Sequence, residues 1–182
     1  MAYICKEVPF GESERKTKKT LYRIADPFLE FYYRFVAPNK SLIAIGRNER
    51  VKAMVDAQFY DHIGHLWERL CLLAVSGNVL FGHEWQMARR WWGKVINEKG
   101  ESEQLEFDIV AESVDKKYLL IGECKWNKAD CSSRLLAELQ RKILLLPFAK
   151  KKKIVLCLFL REQPLDSGEC NILYPDDVVK ML

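Results

Sequence analysis

Two neighbouring apolar segments, Leu105–Ala111 and Tyr118–Trp126, carry charges that a buried strand does not tolerate without a use for them. The first alternates between apolar and polar residues as far as Ile109. The second is apolar throughout except for Glu123 and Lys125. Only the polar stretch around the turn Ser113–Lys116 separates them. Side chains on a strand alternate sides with a period of two, which predicts Glu106 and Asp108 on one face, opposite Phe107 and Ile109. Glu123 and Lys125 then share a face with Ile121. Across the turn, Asp108 falls opposite Glu123 or one diagonal step away, within roughly 5–8 Å. A Glu–Lys pair at i, i+2 on an exposed strand is ordinarily a surface ion pair worth less than about 1 kcal/mol. Among Leu120, Ile121, Cys124 and Trp126 the same charges are expensive to bury.

A divalent cation is what such a pair of carboxylates suits. Mg²⁺ (or Mn²⁺) prefers oxygen ligands and is held by one or two carboxylates plus waters and phosphate oxygens. The expected ligands are Asp108 and Glu123. Lys125 would orient an attacking water or meet the charge that develops on a phosphate. Glu68 is a further candidate. It lies on an expected helix, Asp61–Val75, whose apolar stripe is Ile63, Leu66, Trp67, Leu70, Leu73 and Ala74. One helical step of about 100° from Trp67 puts Glu68 on the border of that stripe.

The rest of the chain arranges itself around this centre. Tyr3–Phe10 and Leu21–Ala25 read as a β-hairpin with a basic tip, and a lone two-stranded hairpin must pack on something to persist. Asp26 and Pro27 then signal a helix start. Phe28, Phe31, Tyr32 and Phe35 predict its packed face, and Pro38-Asn39 its end. Arg47–Gln58 reads as helical and leads into the stronger helix. Trp85–Lys94 predicts a strand or two, Ser132–Leu146 a helix and Lys153–Arg161 a buried strand. Asn171–Tyr174 is a short strand, and a small helix starts near Asp176. The expected units are a hairpin over residues 1–25, a helical linker over 26–58 and an α/β domain over 59–182. From Phe59 the order is αβββαβ, which implies a mixed sheet with helices on its faces.

Composition narrows the classes of function. Of the 182 residues, 49% are apolar and 30% charged, as in ordinary soluble domains. The six cysteines show no metal-ligand spacing, and only three histidines could accompany them, which excludes a conventional zinc site. Cysteine usage, the charged start of the chain and apolar runs too short to span a bilayer predict a cytoplasmic protein without membrane association. The net charge of +4 says little by itself, but its distribution points to nucleic acid. Arg89, Arg90 and Lys94 lie near the expected site. Arg15, Lys18 and Lys19 form a separate candidate contact at the hairpin tip. Gln140 reads as a solvent-facing helix residue, and Trp91 and Trp92 as one tryptophan on each face of a strand.

Asp108, the fourteen intervening residues and Glu123-Cys124-Lys125 resemble the D…(D/E)XK signature of the restriction-endonuclease-like superfamily. The resemblance extends to strand order and to Glu68 upstream, while Phe107 replaces the usual proline before the aspartate. It implies a Mg²⁺ site at Asp108 and Glu123, a water-activating Lys125 and an assisting Glu68. Over nearly the whole chain, the stretches LYRIADPFLEFYYRFVAPNKSLI, YDHIGHLWERLC, RRWWGK, EFDIVAES and LLIGECKW are similar to a C-terminal domain of archaeal and bacterial AAA-type ATPases. That domain follows a winged helix, so residues 3–25 would be the remnant of its wing. The chain has no G-x-x-x-x-G-K-[ST] stretch for ATP. The expectation is metal-dependent hydrolysis of phosphodiesters in nucleic acid, DNA in the first place. The alternative is an inactive module of the same fold that binds DNA or docks on an AAA-type ATPase. A homodimer is compatible with either.

Overall fold

The computed structural model describes residues 3–127, 132–166 and 170–182. Cys131 lies outside them. Ile4–Glu7 (β1) and Leu21–Ile24 (β2) pair antiparallel, Ile4 against Ile24 and Glu7 against Leu21, so the hairpin forms as expected. Its support comes from the rest of the chain. The Phe10 N–H donates to the Arg90 carbonyl at 2.8 Å. The Phe10 ring lies 5.7 Å from that of Phe148.

Asp26 caps Pro27–Phe31 (α1), accepting from the Leu29 N–H at 3.0 Å. The chain does not continue as a regular helix. It winds through a π turn, Tyr32–Val36, and a 3-10 turn, Ala37–Asn39, before Lys40–Ala44 (α2). The change of winding breaks the helical period. Phe35 is therefore buried while Phe28 is 72% exposed, and the four aromatics do not make the one packed face that their spacing suggests.

Asn48–Val75 (α3) is one helix of 28 residues, so the expected boundary at Phe59 falls in its interior. Its buried residues beyond that point are His62, Trp67, Cys71, Ala74 and Val75. Leu70 and Leu73, expected in the stripe, are exposed. Trp67 Nε1 donates to the Phe159 carbonyl at 3.1 Å, which pins α3 to the sheet. Arg69 pairs with Glu30 at 3.0 Å and donates to the Ala25 carbonyl, tying α1 and the hairpin to the same helix.

A small hairpin, Val79–Leu80 (β3) with His83–Glu84 (β4), leads into the main sheet. That sheet contains Arg89–Ile96 (β5), Ser102–Glu112 (β6), Tyr118–Lys125 (β7), Lys153–Leu160 (β8) and Asn171–Leu173 (β9) in sequential order. β5, β6 and β7 pair antiparallel, whereas β8 and β9 add in parallel. The parallel step from β7 to β8 needs a crossover, and Ser132–Leu144 (α4) lies in it. Pro175–Lys180 (α5) closes the chain. The αβββαβ order and the mixed sheet are as the sequence predicts.

Two apolar layers fill the space between sheet and helices. Trp67, Cys71, Ala74 and Val75 of α3 and Val178 of α5 pack with Ile109, Ala111, Leu120, Cys124, Cys157 and Phe159. On the other face, Leu139 and Ile143 of α4 pack with Phe107, Val110, Leu119, Ile121 and Leu158. Gly122 stands between the strands' tightest neighbours. A Cβ there would meet the Phe159 ring at 2.9 Å and Ile109 Cβ at 3.3 Å.

One feature of β6 departs from strict alternation. Its pairing with β5 runs from Ile96–Ser102 to Trp91–Phe107 and resumes at Arg89–Val110. Asp108 and Ile109 together oppose the single Arg90, which is a β-bulge. Phe107 accordingly packs in the α4 layer and Ile109 in the α3 layer, not side by side on one face as alternation predicts. The extra residue is inserted at the position that carries Asp108.

Candidate functional site

Beyond the last ladder pair of β6 and β7, Ile109 with Gly122, the two strands no longer bond through their main chains. Asp108 fills the gap. Its Oδ2 accepts from the Cys124 N–H at 2.8 Å. Lys125 Nζ lies 2.7 Å from Glu123 Oε1, and the Glu123 side chain is only 14% exposed. Glu68 approaches from α3, placed by its neighbour Trp67 and partly buried, with His65 Nδ1 3.7 Å from its Oε2. Four residues from three elements thus meet at one end of β7.

The electrostatics follow from that crowding. Burial above all, then the charges of Glu123 and Glu68, push the Asp108 carboxyl up to about 7, against the Cys124 N–H and the Lys125 charge. Glu68 is also raised. Burial is the main cause, with Arg90 and His65 opposing it. For Lys125, burial works against its charge, but Glu123 and Asp108 outweigh burial and hold the ammonium above its usual range. A carboxylate whose neighbours disfavour its ionisation stands ready to gain from a cation.

Among the described residues, no three His, Cys, Asp or Glu side chains form a group able to hold a metal ion. The donor set is smaller: Asp108 and Glu123, with Glu68 nearby. Such a pair of hard oxygen donors, with waters and phosphate oxygens completing the shell, fits the coordination habits of Mg²⁺ and Mn²⁺.

A cleft of about 410 Å³ opens beside these residues. Glu68 and Lys125 line it, together with Arg34, Tyr60, Gly64 and Trp126. His65, Tyr60 and Arg34 did not stand out in the sequence. The spacing Tyr60, Gly64, Glu68 is the signal that could have found Tyr60, because residues four apart share one helix face, whereas no local pattern points to Arg34.

The basic candidates are dispersed. Arg90 pairs with Glu106 and, at 3.4 Å, with Glu7 from the hairpin. Arg89 lies 2.7 Å from Glu14, and Lys19 lies 2.9 Å from Glu12. Lys94, Arg15 and Lys18 are exposed. Gln140 is exposed on α4, and Trp91 is buried in the α4 layer.

Fold and site together define a mixed α/β domain with a carboxylate–lysine cluster at one strand end. Residues 32–142, which include all four clustered residues, match the DUF234 family, described as archaea bacterial proteins of unknown function. The chain belongs to that family. The uncharacterized protein MJECL04 of Methanocaldococcus jannaschii is similar to it, 25% identical over 180 residues and 96% of this chain. The chain spans 38% of that protein's length. No solved structure matches the chain significantly. Among the described residues, no helix is long and apolar enough to cross a membrane.

Proposed function

We propose that the chain is a metal-dependent phosphodiesterase of the PD-(D/E)XK type acting on nucleic acid, DNA in the first place. The observation that carries this reading is the gathering of Asp108, Glu123, Lys125 and Glu68 at one end of β7, where burial first, and then the charges of Glu123 and Glu68, push the Asp108 carboxyl up to about 7. The helix–strand order and the mixed sheet support the same superfamily. Asp108 and Glu123 would hold Mg²⁺ or Mn²⁺, with Glu68 assisting. When bound, such an ion lowers the pKa of a water and neutralises charge on a phosphate. Lys125, kept protonated by its carboxylate neighbours, orients the water or meets the developing charge. Lys94, Arg15 and Lys18, which are exposed, would meet phosphates, Arg89, Arg90 and Lys19 would do so on leaving their carboxylate partners, and binding would weaken with salt. The partner implied by the resemblance is an AAA-type ATPase.

A second reading is a catalytically inactive module that keeps this fold to bind DNA or to dock on the ATPase. The Lys125–Glu123 ion pair favours it, since that contact occupies a would-be ligand. Plasmid nicking separates the two. Nicking that requires Mg²⁺ or Mn²⁺ and disappears in Asp108→Asn supports the enzyme. DNA retention without nicking by the folded protein supports the module.

A further inference from the structure

The cleft next to Glu68 and Lys125 has a lining that a metal site alone does not need. Tyr60, Gly64 and Glu68 follow one another at intervals of one helical turn along α3. Tyr60 is 55% exposed. Facing it is Trp126, directly after β7 and one residue from Lys125. The Arg161 guanidinium lies 5.8 Å from the Tyr60 ring and 5.9 Å from the Trp126 ring, so one cation bridges two π systems at the rim. Arg34 is in the lining itself, as is Asp61, whereas Arg161 stands outside it and pairs with Glu162 at 3.0 Å.

Gly64 lies in the lining between Tyr60 and Glu68. Glycine inside a helix costs roughly 0.5–1 kcal/mol relative to alanine. No steric reason requires it, because a Cβ at Gly64 would meet nothing within 4 Å. Its backbone angles are also those of an ordinary helix residue. With no side chain at Gly64, the cleft is open over that turn of α3. At about 410 Å³ the cleft has the size of a pocket for one small-molecule-sized group. A duplex with both strands is too wide for it.

We propose that this cleft holds one unstacked nucleobase of a single-stranded nucleic-acid segment, against Tyr60 and Trp126 and over Gly64. The adjoining phosphate would then face Glu68 and Lys125. This rests on the nucleic-acid reading above and deepens it by naming the substrate class as unpaired strands. Aromatic faces accept any base, so the preference is for single strands and not for sequence. Arg34 supplies charge for the strand's backbone.

The test is fluorescence anisotropy with labelled oligodeoxythymidine, alone or annealed to oligodeoxyadenosine, in EDTA so that neither metal nor cleavage contributes. Variants are Gly64→Leu, which removes no existing contact, and Tyr60→Ala; circular dichroism checks their folding. The expected result is tighter binding of the single strand than of the duplex. Each variant should weaken single-strand binding about 5- to 150-fold, the range for losing one stacked base. Equal affinity for duplex, unchanged binding by the folded variants, or no binding of either probe by wild type overturns the proposal. Single-strand binding without metal-dependent cleavage would leave it standing while removing the nuclease reading. Cleavage with unaltered binding in the variants would do the reverse.

Discussion

Asp108 and Cys124 are joined by a hydrogen bond of 2.8 Å from the Cys124 N–H to Asp108 Oδ2, just past the last main-chain pair of β6 and β7. A side chain here takes the place of a ladder carbonyl. The bond fixes Asp108 against the strand segment that carries Glu123 and Lys125. It also satisfies a backbone donor that would otherwise be left at the opened strand end. One carboxylate therefore has a structural role through Oδ2 beside the chemical role proposed for it in the cluster.

The two roles separate by substitution. Asp108→Asn keeps an oxygen for the Cys124 N–H and removes the charge that burial disfavours, so its stability should equal or exceed that of wild type. Asp108→Ala leaves the N–H without its acceptor and should be less stable than Asp108→Asn by about 1–3 kcal/mol. Urea unfolding of the metal-free proteins near neutral pH measures both.

Gly122→Ala should destabilise the protein by about 1–3 kcal/mol. The added Cβ would stand 2.9 Å from the Phe159 ring and 3.3 Å from the Cys157 carbonyl, with Ile109 equally close. The strain falls one residue from Glu123, so metal affinity should drop as well. Urea unfolding and calorimetry report the two effects separately.

Lys125→Gln should leave metal affinity within a few-fold of wild type while lowering cleavage by roughly 10²–10³-fold, the scale of losing one charge-stabilising donor. If metal affinity and cleavage fall together, Lys125 acts by shaping the carboxylates and not on the phosphate.

His62 should make the protein acid-sensitive. It is buried between Phe31 and Phe35, and burial holds its imidazole below the ordinary value of 6.5. Arg34 and His65 add to the lowering, while Glu30 opposes it. Because the folded pKa is depressed, the stabilisation is complete above the unfolded value and is lost as pH falls through the folded one. Urea midpoints should therefore decline on acidification below about 6.5, and His62→Leu should flatten that part of the profile. An unchanged profile in the variant would assign the acid sensitivity elsewhere.

The strands, the hairpin and the Asp26 cap were legible because each depends on local chemistry. Alternating runs, polar turns and a capping side chain all lie within a few residues of what they determine. The bulge at Asp108 was not legible, since an inserted residue shows only in the pairing with β5, and the run Ile109-Val110-Ala111 ends the alternation without locating an insertion. The same holds for the arginines. Arg89 and Arg90 looked available for phosphate, yet their partners Glu14 and Glu7 come from a hairpin distant in sequence. The exposure of Phe28 traces to the π turn that follows it, where local helical spacing carries no warning. Glu68 could be placed beside the apolar stripe by periodicity, but its approach to Asp108 depends on the docking of Trp67 against Phe159.

The measurement that tests the central claim most directly is calorimetric titration of Mn²⁺ into wild type and Asp108→Ala. The account predicts binding by wild type and its loss in the variant, with circular dichroism showing both folded. Absence of binding by folded wild type, or equal binding by the two, would contradict a metal site built on Asp108 and Glu123.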